Sequence, residues 1–211
     1  MKKISLVALY YQGKDEELMQ ILREVETHSE STRKESPYQI DPNECDRFGK
    51  SMLNVAISNR DEDLSLLLMR VGADFLKADN TGEYPLFNAI KNLFTNVACV
   101  MIAQMVPDTD CDYWFNKVRA PYNHRPIIFE AIFDPKILEA ILSAGGDPLA
   151  VDDCLETPLE LATVFNEEES VRLLLQHLPK GVGKHMLPLI KKQAVLNPKI
   201  ANMIQAAIDR L

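Results

Sequence analysis

The sequence predicts an all-α protein in which one helical repeat is copied several times along the chain. The segment TPLELA at 157–162 recurs in weaker form 73 positions upstream as YPLFNA at 84–89, and a shorter version, MLNVA at 52–56, ends 33 positions before that. A fixed period of about 33 residues indicates that a single supersecondary unit is repeated. Apolar residues make up 46% of the 211 residues and run through these segments at helical spacing. We therefore expect a solenoid of helix–turn–helix repeats with a continuous buried core.

The clearest repeat spans 46–74. Leu53 and Ile57 lie four positions apart, which places them on one face of a first helix. The leucines within 64–68 form a similar apolar stripe on a second helix. Gly72 follows that stripe, where a glycine can take the positive φ that ends a helix. Two short helices packed back to back fit this pattern.

The other repeats follow the same plan with irregular spacing. Ala89 and Ala131 occupy equivalent positions, but their separation is nine positions longer than the period, so an insertion falls between them. The C-terminal segment lacks the repeat pattern but keeps two amphipathic helices, and Pro198 suits the first turn of the second. We expect a single domain with these parts: a degenerate N-terminal helical unit at 1–27, a mobile polar loop at 28–41, four repeats at 42–178 with an insertion near 106–124, and C-terminal capping helices at 179–211.

These repeats resemble the ankyrin repeat, whose consensus reads G-x-T-P-L-H-x-A-A, then a turn, then L-L-x-x-G-A-D. The segment 157–162 matches the first part, and 72–74 matches the final G-A-D. The resemblance implies an ankyrin-repeat solenoid that binds proteins. The chain departs from the family between the helices, where Arg60 stands in place of glycine in one repeat and Asn166 lies near that place in another. Because arginine tolerates the left-handed conformation less well than asparagine, we expect the repeat with Arg60 to bend or fray.

The resemblance also implies where a partner would bind. In ankyrin repeats, the turn tips and the exposed side of the first helices line a concave groove. A partner that docks on such a preformed surface loses little ordering entropy. Carried over to this sequence, the contact residues are Arg47, Phe48, Asn54, Glu83, Tyr84, Phe87, Lys91, Glu130, Leu155 and Glu156, with Ser58, Asn80, Asn88 and Glu160 beside them.

The insertion is unusually aromatic. It contains Tyr113, Trp114, Phe115 and Tyr122, and Trp114 is the only tryptophan of the chain. Folding of the repeats does not require an insertion, so these side chains either pack back onto the repeats or contact a partner. Tryptophan and tyrosine are common anchors of protein interfaces. We therefore include all four among the expected partner contacts.

Charge limits the kind of partner. The formal net charge is −8, which argues against a nucleic-acid ligand. Residues 180–211 carry a net +5, so the segment 1–179 carries −13. Two interpretations stay open: a soluble acidic surface with a basic terminal cap, or an acidic surface that attracts a partner protein with a basic patch.

The cysteine pattern and the apolar runs suggest a cellular setting. Four cysteines without CxxC pairs predict reduced thiols in the cytoplasm, and no apolar run reaches the roughly 18 residues of a membrane span. We expect a monomer. The divergent repeats and the long insertion also resemble ankyrin proteins that intracellular bacteria secrete into the host cytosol.

Catalytic and metal-binding motifs are not found in the sequence. The four histidines lie far apart without zinc-ligand spacing, and there is no phosphate-binding glycine loop. We expect no catalytic residue, no metal and no cofactor. The alternative is an effector enzyme, a hydrolase or a transferase, built on the repeat platform. Its candidate pair is Cys111 and His124, which flank the insertion and would have to meet within hydrogen-bond reach.

Overall fold

The computed structural model describes residues 2–31, 37–105, 110–111, 113–119, 124–179, 187, 190–191, 194 and 197–210. It is mostly helical, which confirms the all-α prediction. The chain divides into two compact units, Met1–Val97 and Ala98–Leu211. We call them the N-terminal unit and the C-terminal unit and describe each by itself.

The N-terminal unit consists of short helices joined in pairs. Helix α1 packs on α2 and α3 packs on α4, while α3 also packs on α5 and α2 on α4. Leu22, Leu53 and Leu86 are at most 1% exposed, so the predicted apolar faces do form the core. The helices are α1 (Leu6–Tyr11), α2 (Asp15–Ser31), α3 (Met52–Ser58), α4 (Glu62–Arg70), α5 (Pro85–Lys91) and α6 (Thr95–Met105), of which α6 continues into the C-terminal unit.

Local sequence explains where these helices begin. The Ser51 hydroxyl accepts a hydrogen bond from the amide of Asn54, and the Asp61 carboxylate accepts one from the amide of Leu64. Such N-caps satisfy amides that have no partner within the helix. Helix α5 begins with Pro85, whose fixed φ suits the first helical position. The predicted helix pair at 46–74 is therefore confirmed, and α5 and α6 show that the next repeat is helical as well.

The polar segment 28–41 is not a simple loop, so that prediction was wrong at both ends. Helix α2 continues to Ser31, and Tyr38–Gln39 forms a strand, β2, that pairs in parallel with the strand β1 at Lys2–Lys3. The amide of Lys2 donates to the carbonyl of Pro37 at 2.8 Å. A polar sequence is compatible with the end of a helix and with a short strand as well as with a loop. Residues 32–36 lie outside the described residues.

Arg60 adopts the left-handed conformation that the sequence suggested, with φ of 57°. The repeat nevertheless does not fray, because α3 and α4 are intact on either side of the turn. The Arg60 guanidinium donates to the carbonyl of Asn92 at 2.8 Å and lies 5.6 Å from the ring centroid of Phe94. These contacts attach the turn at Arg60 to the next turn along the chain. They offset part of the free-energy cost of the left-handed conformation of Arg60.

The C-terminal unit repeats the paired arrangement. Helix α7 packs on α8 and α9 packs on α10, while α7 also contacts α9, and α10 contacts both α8 and α11. Thr157 and Glu160 form a reciprocal capping box at the start of α9. The helices after α6 are a short π-helix (Tyr113–Lys117), α7 (Ile128–Ala131), α8 (Pro135–Ser143), α9 (Pro158–Val164), α10 (Glu168–His177) and α11 (Pro198–Ile208).

The C-terminal cap is described in part. The second predicted capping helix is confirmed as α11, which begins at Pro198 and buries Ile200 and Ile204. Most of the first predicted capping helix lies outside the described residues. In the described part of the chain, every helix is too short or too polar to cross a membrane.

Candidate functional site

Three turn tips share one geometry, and each is organised by a buried aspartate. We call 46–51 the first tip, 79–84 the second tip and 152–157 the third tip. Asp46, Asp79 and Asp152 are 3–8% exposed. In each tip, one carboxylate oxygen accepts hydrogen bonds of 2.8–3.2 Å from the backbone amides two and four residues later. The backbone amide of each aspartate also donates to the carbonyl four residues later. The first and fifth residues of every tip are therefore joined by hydrogen bonds in both directions.

The first two aspartates are held in their charged form. Burial alone would raise the pKa of Asp46, but hydrogen bonds from the Tyr11 hydroxyl and the backbone amides outweigh it and lower the pKa below its ordinary value. Asp79 behaves in the same way: burial opposes the charge, and hydrogen bonds from Thr81 and Asn54 lower its pKa. At neutral pH both carboxylates therefore act as fixed acceptors for their tips.

The first tip presents an aromatic side chain to solvent. Phe48 is 65% exposed, and the Arg47 guanidinium lies 4.7 Å from its ring centroid. The Tyr11 hydroxyl donates to Asp46 at 2.7 Å, which ties helix α1 to the tip. Beside it, a surface pocket of about 430 Å³ is lined by Ser5, Val7, Ala8, Tyr11 and Arg47. Apolar and cationic groups are thus combined at one edge of the N-terminal unit.

The second tip is attached directly to the first. The amide of Asn80 donates to the carbonyl of Gly49 at 2.9 Å, and Lys50 forms an ion pair with Glu83 at 3.5 Å. A Cβ at position 49 would lie 2.7 Å from the Cβ of Asn80, so only glycine permits this approach. Tyr84 is half-buried. Consequently Glu83 and Tyr84 lie on the same edge as Arg47 and Phe48.

The third tip carries the most exposed large apolar side chain among the described residues. Leu155 is 78% exposed and has a φ of 62°. The Arg125 guanidinium lies 2.8 Å from a carboxylate oxygen of Asp152 and 3.3 Å from one of Glu156. It also lies 5.6 Å from the ring centroid of Phe129, on α7. Arg125 therefore connects the third tip to the first helix of its repeat.

Three of the predicted contact residues are buried and have no surface to offer to a partner. Phe87 is 1% exposed and Phe115 is 0% exposed, because both rings fill the core of their unit. Asn54 is 0% exposed, and its amide group donates to the Asp79 carboxylate at 2.7 Å and to the carbonyl of Glu83 at 3.0 Å. We therefore leave these three residues out of the candidate surface.

Asn54 belongs to a buried polar network that supports the second tip through hydrogen bonds. Asn88 donates to the side-chain oxygen of Asn54 at 3.0 Å, and Asn92 donates to that of Asn88 at 2.6 Å. The adjacent Asn88 is only 6% exposed. The network runs from the α3–α5 interface to the second tip, and its members satisfy one another, as buried polar groups must.

The aromatic insertion packs back onto the C-terminal unit, with part of it left exposed. The Asn116 amide donates to the carbonyl of Gly145 at 3.2 Å, and its side-chain oxygen accepts from the amide of Asp147 at 2.7 Å. Tyr113 is 50% exposed, and its ring contacts that of half-buried Trp114 edge-on at 5.8 Å. Tyr122 lies outside the described residues. Of the aromatics that the structure describes here, Tyr113 is therefore the one most open to solvent.

Two further predicted residues lie on the first helices. Lys91 is exposed at the end of α5, and Glu130 is half-buried on α7.

The sequence argument missed an apolar patch at the turns between helices of the C-terminal unit. There, Val164 is 60% exposed, and the rings of Phe133 and Phe165 meet edge-on with centroids 5.3 Å apart. Two phenylalanines at equivalent turns could have indicated this patch.

The candidate catalytic pair lacks the arrangement of an activated nucleophile. Burial, with a smaller effect from Asp110, raises the pKa of the Cys111 thiol, which disfavours the reactive thiolate. His124 is exposed, and no hydrogen bond joins the two side chains within the described structure. Across the residues that the structure describes, no three His, Cys, Asp or Glu side chains are grouped to hold a metal ion.

Comparison with known proteins adds no relative: no protein-family model matches the chain, and no curated protein matches it.

Proposed function

We propose that this chain is a non-catalytic protein-binding module of the ankyrin-repeat type, which docks a partner protein on its turn tips. The single observation that carries the proposal is the position of the exposed apolar side chains. Among the described residues, Leu155 at 78% and Phe48 at 65% are the two most exposed large apolar side chains, and both lie on tips. An exposed apolar side chain on a firmly held backbone is typical of an interface anchor.

The packing of the helices supports the ankyrin-type part of the proposal. In each unit, a first helix packs on a first helix, α3 on α5 and α7 on α9. Second helices likewise pack on second helices, α2 on α4 and α8 on α10. Like-with-like stacking is what a series of helix–turn–helix repeats needs in order to bury its core.

The tips suit binding because they are ordered before a partner arrives. Each buried aspartate holds its tip through main-chain amides, so a partner does not have to order the loop. Binding to a preformed surface loses less conformational entropy than binding to a flexible one. The acidic balance of the segment 1–179 favours a partner with a basic patch. The secreted-effector hypothesis, in which the partner is a host protein, gives the choice of lysate for the experiment.

Partner capture with matched variants tests the proposal. Immobilised wild-type chain, Phe48→Ala and Leu155→Asn would be exposed to a lysate of cultured animal cells, and bound proteins quantified by mass spectrometry. Val100→Ala serves as the control, because Val100 is 37% exposed on α6 and lies outside both the tips and the apolar patch of Phe133, Val164 and Phe165. We expect a specific partner that is lost from at least one tip variant and retained by the control. Equal capture by all four proteins would refute a tip-based function.

A further inference from the structure

The C-terminal unit repeats the turn and tip positions of the N-terminal unit at an offset of 73 positions. Asn43 accepts a hydrogen bond from the amide of Asp74 at 2.8 Å, and Asn116 accepts one from the amide of Asp147 at 2.7 Å. Asp79 and Asp152 have the same offset, as do the glycines that follow α4 and α8, Gly72 and Gly145, with φ of 100° and 99°. The chain therefore contains an internal control for each position of its third tip.

Comparison of the third tip with the second tip shows that Leu155 is unusual. Its counterpart on the second tip is Gly82, with φ of 84°, and the two amides make the same turn hydrogen bond, 3.0 Å long from Gly82 to Asp79 and 3.1 Å long from Leu155 to Asp152. A leucine is strained in this left-handed conformation, whereas a glycine is not. The turn itself thus has no need of a leucine.

Packing does not explain the leucine either. Leu155 is 78% exposed, so its side chain contributes little to the core of the unit. A strained backbone position that carries an exposed apolar side chain is a reason to look for function. We propose that Leu155 is a binding anchor for a protein partner whose surface combines an apolar socket with a lysine- or arginine-rich rim. This inference rests on the proposed function and specifies the partner of one tip.

The charges around Leu155 define the rim. Asp153 is exposed and makes no ion pair with any described residue, and Glu156 is exposed beside it. Arg125 bridges Asp152 and Glu156, and the Arg119 guanidinium donates to the carbonyl of Val151 at 3.0 Å. The three carboxylates of the third tip therefore face two cations, and a small excess of negative charge remains next to the leucine. On the second tip, the corresponding positions are the uncharged Asn80 and the Lys50-paired Glu83. Carboxylates around the apolar side chain of Leu155 complement cationic groups around an apolar socket on the partner.

Thermal unfolding tests whether Leu155 has a structural role. Asparagine tolerates the left-handed conformation and removes the apolar side chain, so Leu155→Asn should leave the melting temperature of the full chain unchanged or raise it by about 2 °C. Gly82→Leu, the reverse change at the matched position, should lower it by about 2–4 °C. A fall of more than about 2 °C in Leu155→Asn would overturn the inference, because the leucine would then stabilise the fold.

Crosslinking tests the partner chemistry. The full-length wild-type chain, bound to protein from a lysate of cultured animal cells, would be treated with a carbodiimide, which joins carboxylates to lysine amines without a spacer. We expect crosslinks from Asp153 or Glu156 to partner lysines. We also expect capture to fall more than tenfold in Leu155→Asn but not in Val100→Asn, a matched loss of an exposed apolar side chain on α6, outside the tips. Asp153→Asn should weaken capture at low salt more than at high salt.

The outcomes separate the two proposals. If Leu155→Asn captures the same partner as the wild type while Phe48→Ala loses it, the anchor inference fails and the tip-based function stands. Crosslinks that involve neither Asp153 nor Glu156 would also overturn the inference. If the wild type captures nothing above a blank support, both proposals fail.

Discussion

The buried position of Asn54 leads to a prediction that separates a structural role from a binding role. In Asn54→Ala, Asp79 loses the amide donor at 2.7 Å, the carbonyl of Glu83 loses a donor at 3.0 Å, and Asn88 loses an acceptor at 3.0 Å. The second tip would then rest on a carboxylate that is only 8% exposed and has lost one of its fixed donors.

The magnitude follows from the kinds of hydrogen bond lost. A hydrogen bond to a charged group contributes about 1.5–3 kcal/mol, and a neutral one about 0.5–1.5 kcal/mol. Part of the loss is recovered by relaxation of the neighbouring groups, so we expect the free energy of unfolding to fall by about 2–4 kcal/mol. For a chain of this length, that corresponds to a melting temperature lowered by roughly 4–16 °C.

The loss of stability in Asn54→Ala should be smaller at acidic pH than at neutral pH. Because the folded-state pKa of Asp79 lies below its ordinary value, its ionised form contributes stability that is fully present above the unfolded-state pKa. That contribution is lost as the pH falls through the folded-state pKa. Removal of the Asn54 amide raises the folded-state pKa toward the ordinary value. The difference in melting temperature between wild type and variant should therefore be full at neutral pH and shrink below about pH 4.

Circular dichroism melts at several pH values provide the assay, with partner capture measured in parallel. The matched control is Asn80→Ala, the same chemical change at an exposed tip position, where we expect an effect within about 0.5 kcal/mol. If Asn54→Ala melted within about 2 °C of the wild type and lost partner capture, Asn54 would be a contact residue as the sequence suggested. That result would refute the buried network.

Three further predictions, which use four substitutions, concern other parts of the structure. Gly49→Ala should destabilise the chain by about 2–3 kcal/mol in urea unfolding because of the close approach at that position, whereas Gly72→Ala, with φ of 100° and open space around it, should cost about 1 kcal/mol. Tyr11→Phe removes a donor to Asp46, so the pKa of that carboxyl should rise in an NMR titration and acid unfolding should begin at higher pH. Trp114→Ala should weaken partner capture more than tenfold with the helical circular dichroism signal retained; unchanged capture with a lower melting temperature would show that Trp114 only packs within its unit.

The helices could be predicted from the sequence because their signals are local. Pro85 and Pro158 begin α5 and α9, and apolar residues at helical spacing identify the faces that are buried. Local signals did not reveal the pairing of β1 with β2, because strand pairing joins segments about 36 positions apart. They also could not show that the polar residues at 28–31 continue α2.

The candidate site was predictable in its tips but not in its helices. Phe48 and Leu155 are exposed as expected for loop positions. Asn54 was assigned to the surface because it is polar, but its partners, Asp79 and Asn88, lie 25 and 34 positions away. A buried amide and an exposed amide look the same in a sequence when the groups that satisfy them come from the next repeat.

The way in which the tips are held bears on how such a chain can change during evolution. Asp46 fixes the first tip through the main-chain amides of Phe48 and Lys50, so the identity of the side chains at 47 and 48 has little influence on the shape of the loop. Substitutions there can accumulate without loss of folding. The aspartate in each of these three tips thus separates the shape of the scaffold from the choice of partner, and new specificities can arise by a few changes at the tips alone.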